Sequence, residues 1–170
     1  MIETVRLRLS MFTLNDAPFI LELLNMPAWL EFIGDRGVRT LQDAENYLIT
    51  GPLTSYEQLG YGAYRVWVKA SGQPIGMCGL FKREMLDAPD IGFAFLPGHT
   101  GTGYGYEAAS AVMTYARETL GISRILGFTS PMNQPSIHLL EKLGLRFEKK
   151  IMYKGDGEES LLFGTPAIDI

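Results

Sequence analysis

The sequence predicts an α/β fold: a mixed, mostly antiparallel central sheet with one parallel strand pair and helices on both faces. Three observations lead there. Apolar spacing switches between a period of two and a period near 3.6 along the chain, in the order β-α-α-β-β-β-α-β-α-β-β. One strand–helix–strand unit, residues 90–130, reads as a right-handed crossover between parallel neighbours. Two further strand pairs are joined by tight turns and are therefore antiparallel.

The elements follow in order. Val5, Leu7, Leu9 and Met11 alternate with Arg6, Arg8 and Ser10, a half-buried strand. "TLND" reads as a capping box with Thr13 as cap and Asp16 three residues on. Ala17, Ile20, Leu21 and Leu24 then give a helical face that Pro27 ends. A short helix holds Trp29 and Phe32. "TLQDAENYLI" repeats the capping pattern at Thr40 and Asp43 and is expected to stop at Gly51-Pro52. "YRVWVKASGQPIGMCGLF" is two strands around Ser71-Gly72, and "DIGFAFL" is a third. A long helix runs to about Leu120, "RILGFTS" is a strand, and "NQPSIHLLEKLG" is a helix ended by Gly144. "LRFEKKIMY" and "ESLLFG" close the chain around a turn at Asp156-Gly157.

The 170 residues read as one domain, 1–170, with an adequate core. A net charge of -4 gives no reason to expect a nucleic-acid partner. No apolar run approaches the roughly 18 residues of a membrane span. "MIETVRLRLS" is a strand pattern and not a signal peptide. The one cysteine, Cys78, excludes an internal disulfide and fits a reducing cytoplasm. One cysteine and two distant histidines, His99 and His138, offer no metal site of the usual spacing.

"LPGHTGTGYGYEAA" concentrates Gly98, Gly101, Gly103 and Gly105 where a helix begins. The first N–H groups of a helix lack intrahelical partners and sit at the positive end of its dipole. Glycines remove the side chains that would keep a phosphate at a distance. The spacing starts a P-loop, but Tyr104 and Gly105 stand where its lysine and hydroxyl belong, which excludes nucleoside triphosphate. It also matches GxGxxA, yet residues 120–140 contain no acid for a ribose, which disfavours a dinucleotide. The plain alternative is a flexible strand-to-helix turn.

"DIGFAFLPGHTGTGYGYEAA" resembles the central motif of the GNAT acyl-CoA-dependent N-acetyltransferases, [QR]-x-x-G-x-[GA], and is most similar to the RimJ/RimL-like branch. Gly101, Gly103, Tyr104, Gly105, Glu107 and Ala108 sit in matching places. "NQPSIHLLEKLGLRFE" resembles that branch's second motif through Asn133, Ser136, Leu139, Glu141, Lys142 and Gly144. The resemblance covers nearly the whole chain and implies a GNAT-like fold. It implies acetyl-CoA as cofactor, its pyrophosphate held by the N–H groups of Thr100, Gly101, Thr102, Gly103, Tyr104 and Gly105. It also implies a pantetheine arm beside the exposed backbone of Phe95 and Leu96, bound like a missing strand.

The implied reaction moves an acetyl group to an amine-bearing acceptor, a small molecule or a protein N-terminus, by direct attack. Positioning alone can supply roughly 7 kcal/mol or more. Asp90, at the start of the cofactor strand, is the candidate base, acting through water; a surface carboxylate is the plain alternative. Many relatives carry an acidic tyrosine where this chain has Leu140. Ser136 is the nearest substitute, unless it caps its helix, and Asn133 is expected to orient cofactor or substrate. Thr100 replaces the usual Arg or Gln. Leu140 and Thr100 keep open a competing reading, a coenzyme A-binding module without catalysis. Glu107 reads as a first-turn acid supporting its helix. Trp29, Phe32, Tyr61, Tyr64 and Trp67 are core or acceptor-pocket walls, and the loop "GDRGVR" is expected to help recognise the acceptor. Homodimers are common in the family, and the sequence marks no interface.

Overall fold

The computed structural model describes residues 1–99, 101–152 and 158–166. Eight strands form one sheet in the order β1-β2-β3-β4-β5-β6-β8-β7. They are β1 (Ile2–Glu3), β2 (Leu7–Met11), β3 (Ala63–Val68), β4 (Pro74–Phe81), β5 (Asp90–Phe95), β6 (Leu126–Thr129), β7 (Arg146–Ile151) and β8 (Ser160–Gly164). The helices are α1 (Ala17–Leu24), α2 (Pro27–Phe32), α3 (Leu41–Leu48), α4 (Thr54–Leu59), α5 (Tyr104–Glu118) and α6 (Gln134–Lys142). Every pairing is antiparallel except β5 with β6. The mixed sheet is the one the element order predicts.

Alternation along the central strands divides the core in two. On one face Leu7, Leu9, Val66, Ile75, Cys78 and Leu80 pack against α5 and α6. The α5 stripe is built from Ala108, Ala109, Val112, Met113 and Ala116, and its three alanines let the helix approach the sheet closely. On the other face Met77 and Ala94 meet Ile20, Leu23 and Leu24 of α1, Trp29 of α2 and Leu48 of α3. Each large aliphatic side chain buried in this way contributes roughly 1.5–3 kcal/mol.

Two boundaries differ from expectation. The first strand is two: Val5 falls outside the ladder and is exposed, and Thr4 N–H bonds the Leu7 carbonyl at 3.0 Å across the turn between β1 and β2. The third helix does not stop at Gly51-Pro52. Residues 49–53 form one widened π turn with Pro52 inside it, and the helix resumes as α4. The missing proline N–H is harmless there, because the turn already breaks the regular ladder; Thr54 Oγ1 donates to the Ile49 carbonyl at 2.6 Å across it. Gly60, in the left-handed region, ends α4 instead. The turn expected at Asp156-Gly157 lies outside the described residues. Both capping boxes form, with Thr13 N–H donating to Asp16 at 2.8 Å and Asp43 N–H donating to Thr40 at 3.1 Å.

Candidate functional site

The site begins where two strands part. β4 and β5 pair without interruption from Gly76↔Phe95 to Phe81↔Asp90. β5 and β6 pair only at Asp90↔Leu126, where Leu126 N–H donates to the Pro89 carbonyl at 2.8 Å. Backbone groups alternate sides along a strand. Pro89 therefore sets the odd-numbered residues of β5 toward β6, and Phe93 and Phe95 present their main-chain groups where pairing has ceased. Leu96 does not share that exposure: its N–H donates to the Ile75 carbonyl of β4 at 2.8 Å. That corrects the expected Phe95–Leu96 pair to Phe93 and Phe95. The gap opens into a cleft of about 1010 Å³ whose walls include Phe93, Phe95, Phe128, Thr129, Asn133 and Ser136.

The glycine loop closes one end of this cleft. Gly101 and Gly103 have φ of +74° and +86°, the left-handed region that a side chain resists. Gly103 is the N-cap of α5 and offers no side chain to the helix start. Among the described residues nothing accepts from the main-chain N–H groups of 101–106, as expected of a helix start without a capping side chain. Gly101, Gly103, Gly105 and Tyr106 line the cleft. A Cβ on Gly105 would stand 3.3 Å from Leu139 of α6, so the first turn of α5 is held close to its neighbour. Among the described residues, amides without partners, a dipole end and glycines without side chains fit a diphosphate. Thr100 lies outside the described residues. Thr102 is exposed; its hydroxyl donates to the His99 carbonyl at 3.3 Å, and its own carbonyl accepts from Arg6 at 3.2 Å.

That arginine belongs to an anchor which sequence reasoning missed. Arg6 N–H and Thr4 Oγ1 bond Glu107 Oε2 at 3.0 and 2.5 Å, and Arg6 Nε bonds Glu107 Oε1 at 2.8 Å. The Arg6 guanidinium also lies 4.4 Å from the centre of the Tyr104 ring. Burial pushes the Glu107 carboxyl up, but the bonds from Thr4 and Arg6 outweigh it and leave it below the usual carboxylate range. Glu107 thus ties the N-terminal turn to the first turn of α5.

Asp90 stands at the vertex of the gap. It is 2% exposed, and it accepts from Arg83 Nε at 3.0 Å. Burial raises its pKa to about 6, against the opposing pull of Arg83. The Arg83 guanidinium lies over Phe81 and Phe128, 5.1 and 5.0 Å from the ring centres. The surface-carboxylate alternative for Asp90 therefore fails.

Asn133 and Ser136 reach the cleft from the start of α6. Asn133 Oδ1 accepts from Ser136 N–H at 3.2 Å, so Asn133 is the cap and the Ser136 hydroxyl is not. Leu140, where the resemblance leads one to expect a tyrosine, is buried in the core. Trp29 and Phe32 line the cleft, whereas Tyr61 and Tyr64 belong to the core under α5. Trp67 stacks with Arg8 and Arg65 on the sheet, away from the cleft. Cys78 is fully buried, and burial pushes its thiol well above the usual range. Among the described residues no helix is long and apolar enough to cross a membrane.

A helix start with bare amides, opening on the unpaired side of a parallel strand, defines a binder of a phosphate-bearing carrier with an extended arm. The chain belongs to the GNAT acetyltransferase family, whose domain description, "Acetyltransferase (GNAT) domain", matches residues 6–146. The acyl donor of that family is acetyl-CoA. The uncharacterized N-acetyltransferase YnaD of Bacillus subtilis (strain 168) is 27% identical over 158 residues, 91% of this chain and 89% of that protein. YkkB of the same organism is 31% identical over 97 residues; this match spans 54% of the chain and about half, 56%, of YkkB. An acetyltransferase from Agrobacterium tumefaciens str. C58 superposes with a TM-score of 0.80 at 24% identity, covering 97% of this chain and 93% of its own. RimL, a ribosomal L7/L12 alpha-N-protein acetyltransferase solved with coenzyme A, superposes with a TM-score of 0.80 at 19% identity, over 95% and 94%. The matching family model is of the RimJ/RimL type, as the two motifs imply.

Proposed function

We propose that this chain transfers an acetyl group from acetyl-CoA to a primary amine, on a small molecule or a protein N-terminus, by direct attack with both substrates bound. The observation that carries this reading is the continuity of the cleft, which joins the bare amides of the glycine loop to Asp90 along the unpaired side of β5. The bound carrier supplies an activated thioester. The N–H groups of residues 101–106 hold its diphosphate. Phe93 and Phe95 offer main-chain donors and acceptors to an arm lying in the gap, as an edge strand does. The same donors are placed to meet negative charge that develops on a carbonyl oxygen.

Asp90 takes the proton that the attacking amine must lose, directly or through a water. A carboxyl with a pKa of about 6 is ionised at neutral pH yet more basic than an ordinary carboxylate. The Ser136 hydroxyl, freed from capping by Asn133, holds a proton for a departing sulfur. Asn133 keeps its Nδ2 donor for a ligand while its Oδ1 is committed to the helix. The buried thiol of Cys78 is out of reach of a covalent route, and a reduced cysteine fits a cytoplasmic protein.

A thermal-shift titration with acetyl-CoA, followed by thiol release with a panel of amines, tests the reading. Stabilisation together with amine-dependent thiol release is the expected result; no stabilisation at high ligand counts against it. Leu140 favours a second reading, a binding module without turnover. That reading requires stabilisation by acetyl-CoA with no acceptor consumed.

A further inference from the structure

We propose that the acceptor half of the cleft selects an amine that also carries a carboxylate, and that it rejects polycations. The carboxylate belongs either to a free amino acid or to a peptide with an acidic residue beside its N-terminal amine. This inference rests on the acetyl-transfer reading and narrows its acceptor.

Met26, Trp29, Phe32 and Ile33 give the cleft an apolar wall outside the glycine loop. Two cations stand on the same lining: Arg36, in the "GDRGVR" loop, and Lys82, just after β4. Both are exposed, and among the described residues neither has a carboxylate partner. The carboxylates of the lining are differently placed. Asp90 is paired with Arg83 at 3.0 Å, Glu159 with Lys150 at 3.6 Å, and Glu158 is not free. Trp29 is 4% exposed and gives this wall an apolar ring.

The lining therefore presents two cations without a carboxylate partner and, among the described residues, no free carboxylate. A carboxylate is acceptor-only when ionised and matches a guanidinium fork in shape. An acceptor with its amine toward Asp90 and its carboxylate toward Arg36 meets complementary charge at both ends. A polyamine brings its further cations against Arg36 and Lys82 of the same lining, a like-charge contact that works against binding.

The test uses the full chain, acetyl-CoA and matched acceptors: phenylalanine against phenylalaninamide, a Ser-Asp peptide against its Ser-Asn counterpart, and spermidine. The carboxylate member of at least one pair should show a kcat/KM at least tenfold higher, with spermidine slowest. The pair that responds identifies the source of the carboxylate. R36E should erase most of that preference through the KM for acceptor, while stabilisation by acetyl-CoA shows that the variant is folded. Equal or faster turnover of both amide members overturns the inference, as does spermidine leading the panel. Preference retained in both R36E and K82E overturns it too. If no amine is consumed, the acetyl-transfer reading fails instead. Calorimetric titration of the same pairs into the coenzyme A-loaded chain then decides selectivity, and equal affinities for the members of both pairs overturn it.

Discussion

Arg6 and Glu107, separated by 101 residues in sequence, hold each other by two hydrogen bonds, from Arg6 Nε at 2.8 Å and from its main-chain N–H at 3.0 Å. The pair fixes the first turn of α5, whose amides form the candidate phosphate seat. E107Q should weaken the anchor without removing bulk from the helix. The expected loss is about 1–2 kcal/mol, since charge-assisted bonds are worth more than neutral ones but this group is partly wet. The KM for acetyl-CoA should rise several-fold with kcat less affected. Glu107 has a lowered carboxyl in the fold, so its contribution is present above the unfolded value near 4.3 and fades as pH falls through the folded one. Urea denaturation of both proteins at pH 7 and pH 3 checks this: the gap between them should shrink at the lower pH.

Much of the site was legible because its signals are local. Four glycines before a helix, with no P-loop lysine, point to bare amides whatever surrounds them. Asn133 and Ser136 share one helix start, so their spacing alone brings them together. What escaped depends on partners distant in sequence. Glu107 looked like an ordinary first-turn acid because nothing near it names Arg6 or Thr4. The side to which the Leu96 amide turns depends on which neighbour β5 pairs with, and that parity is invisible until β4 is placed. Pro52 read as a stop because proline cannot fill a regular helical position; a single widened turn absorbed it.

The loop glycines separate backbone strain from crowding. Gly101 and Gly103 both hold positive φ, and a Cβ on Gly101 would meet nothing within 4 Å while one on Gly103 would come 3.3 Å from Arg6 Nη2. G101A should therefore cost about 1 kcal/mol of strain alone. G103A should cost more and displace the arginine that steadies the loop. Acetyl-CoA affinity should fall several-fold in the first variant and further in the second. Calorimetric titration measures both, and the reverse order would remove Arg6 from the account.

Cys78 distinguishes direct transfer from a covalent relay. It sits on β4 with no exposure, and burial holds its thiol protonated. C78A should retain kcat/KM within about twofold and lose roughly 1–2 kcal/mol of stability, the effect of a small core cavity. Initial-rate patterns with varied acetyl-CoA and amine should intersect in both proteins. Parallel lines, or a C78A enzyme that folds but does not turn over, would transfer the acetyl group through the cysteine and end the direct-attack proposal.

Asp90 should set activity and stability against each other. Its folded pKa of about 6 lies above the unfolded value near 3.9. For a raised carboxyl, the contribution to stability is full below the unfolded pKa and is lost as pH rises through the folded one. A shift of that size corresponds to about 3 kcal/mol between pH 4 and pH 8. D90N keeps the shape and cannot ionise, so relative to the native chain it should gain about that much stability across the same interval. Its catalysis should move the other way. The native kcat/KM should rise with pH through a single ionisation near 6, and D90N should lose that limb and fall at least a hundredfold at pH 8. Denaturation and rate profiles over the same buffers test both halves together. A D90N variant that gains the stability but keeps the native rate profile would leave Asp90 a buried structural acid and move the proton acceptor elsewhere in the cleft.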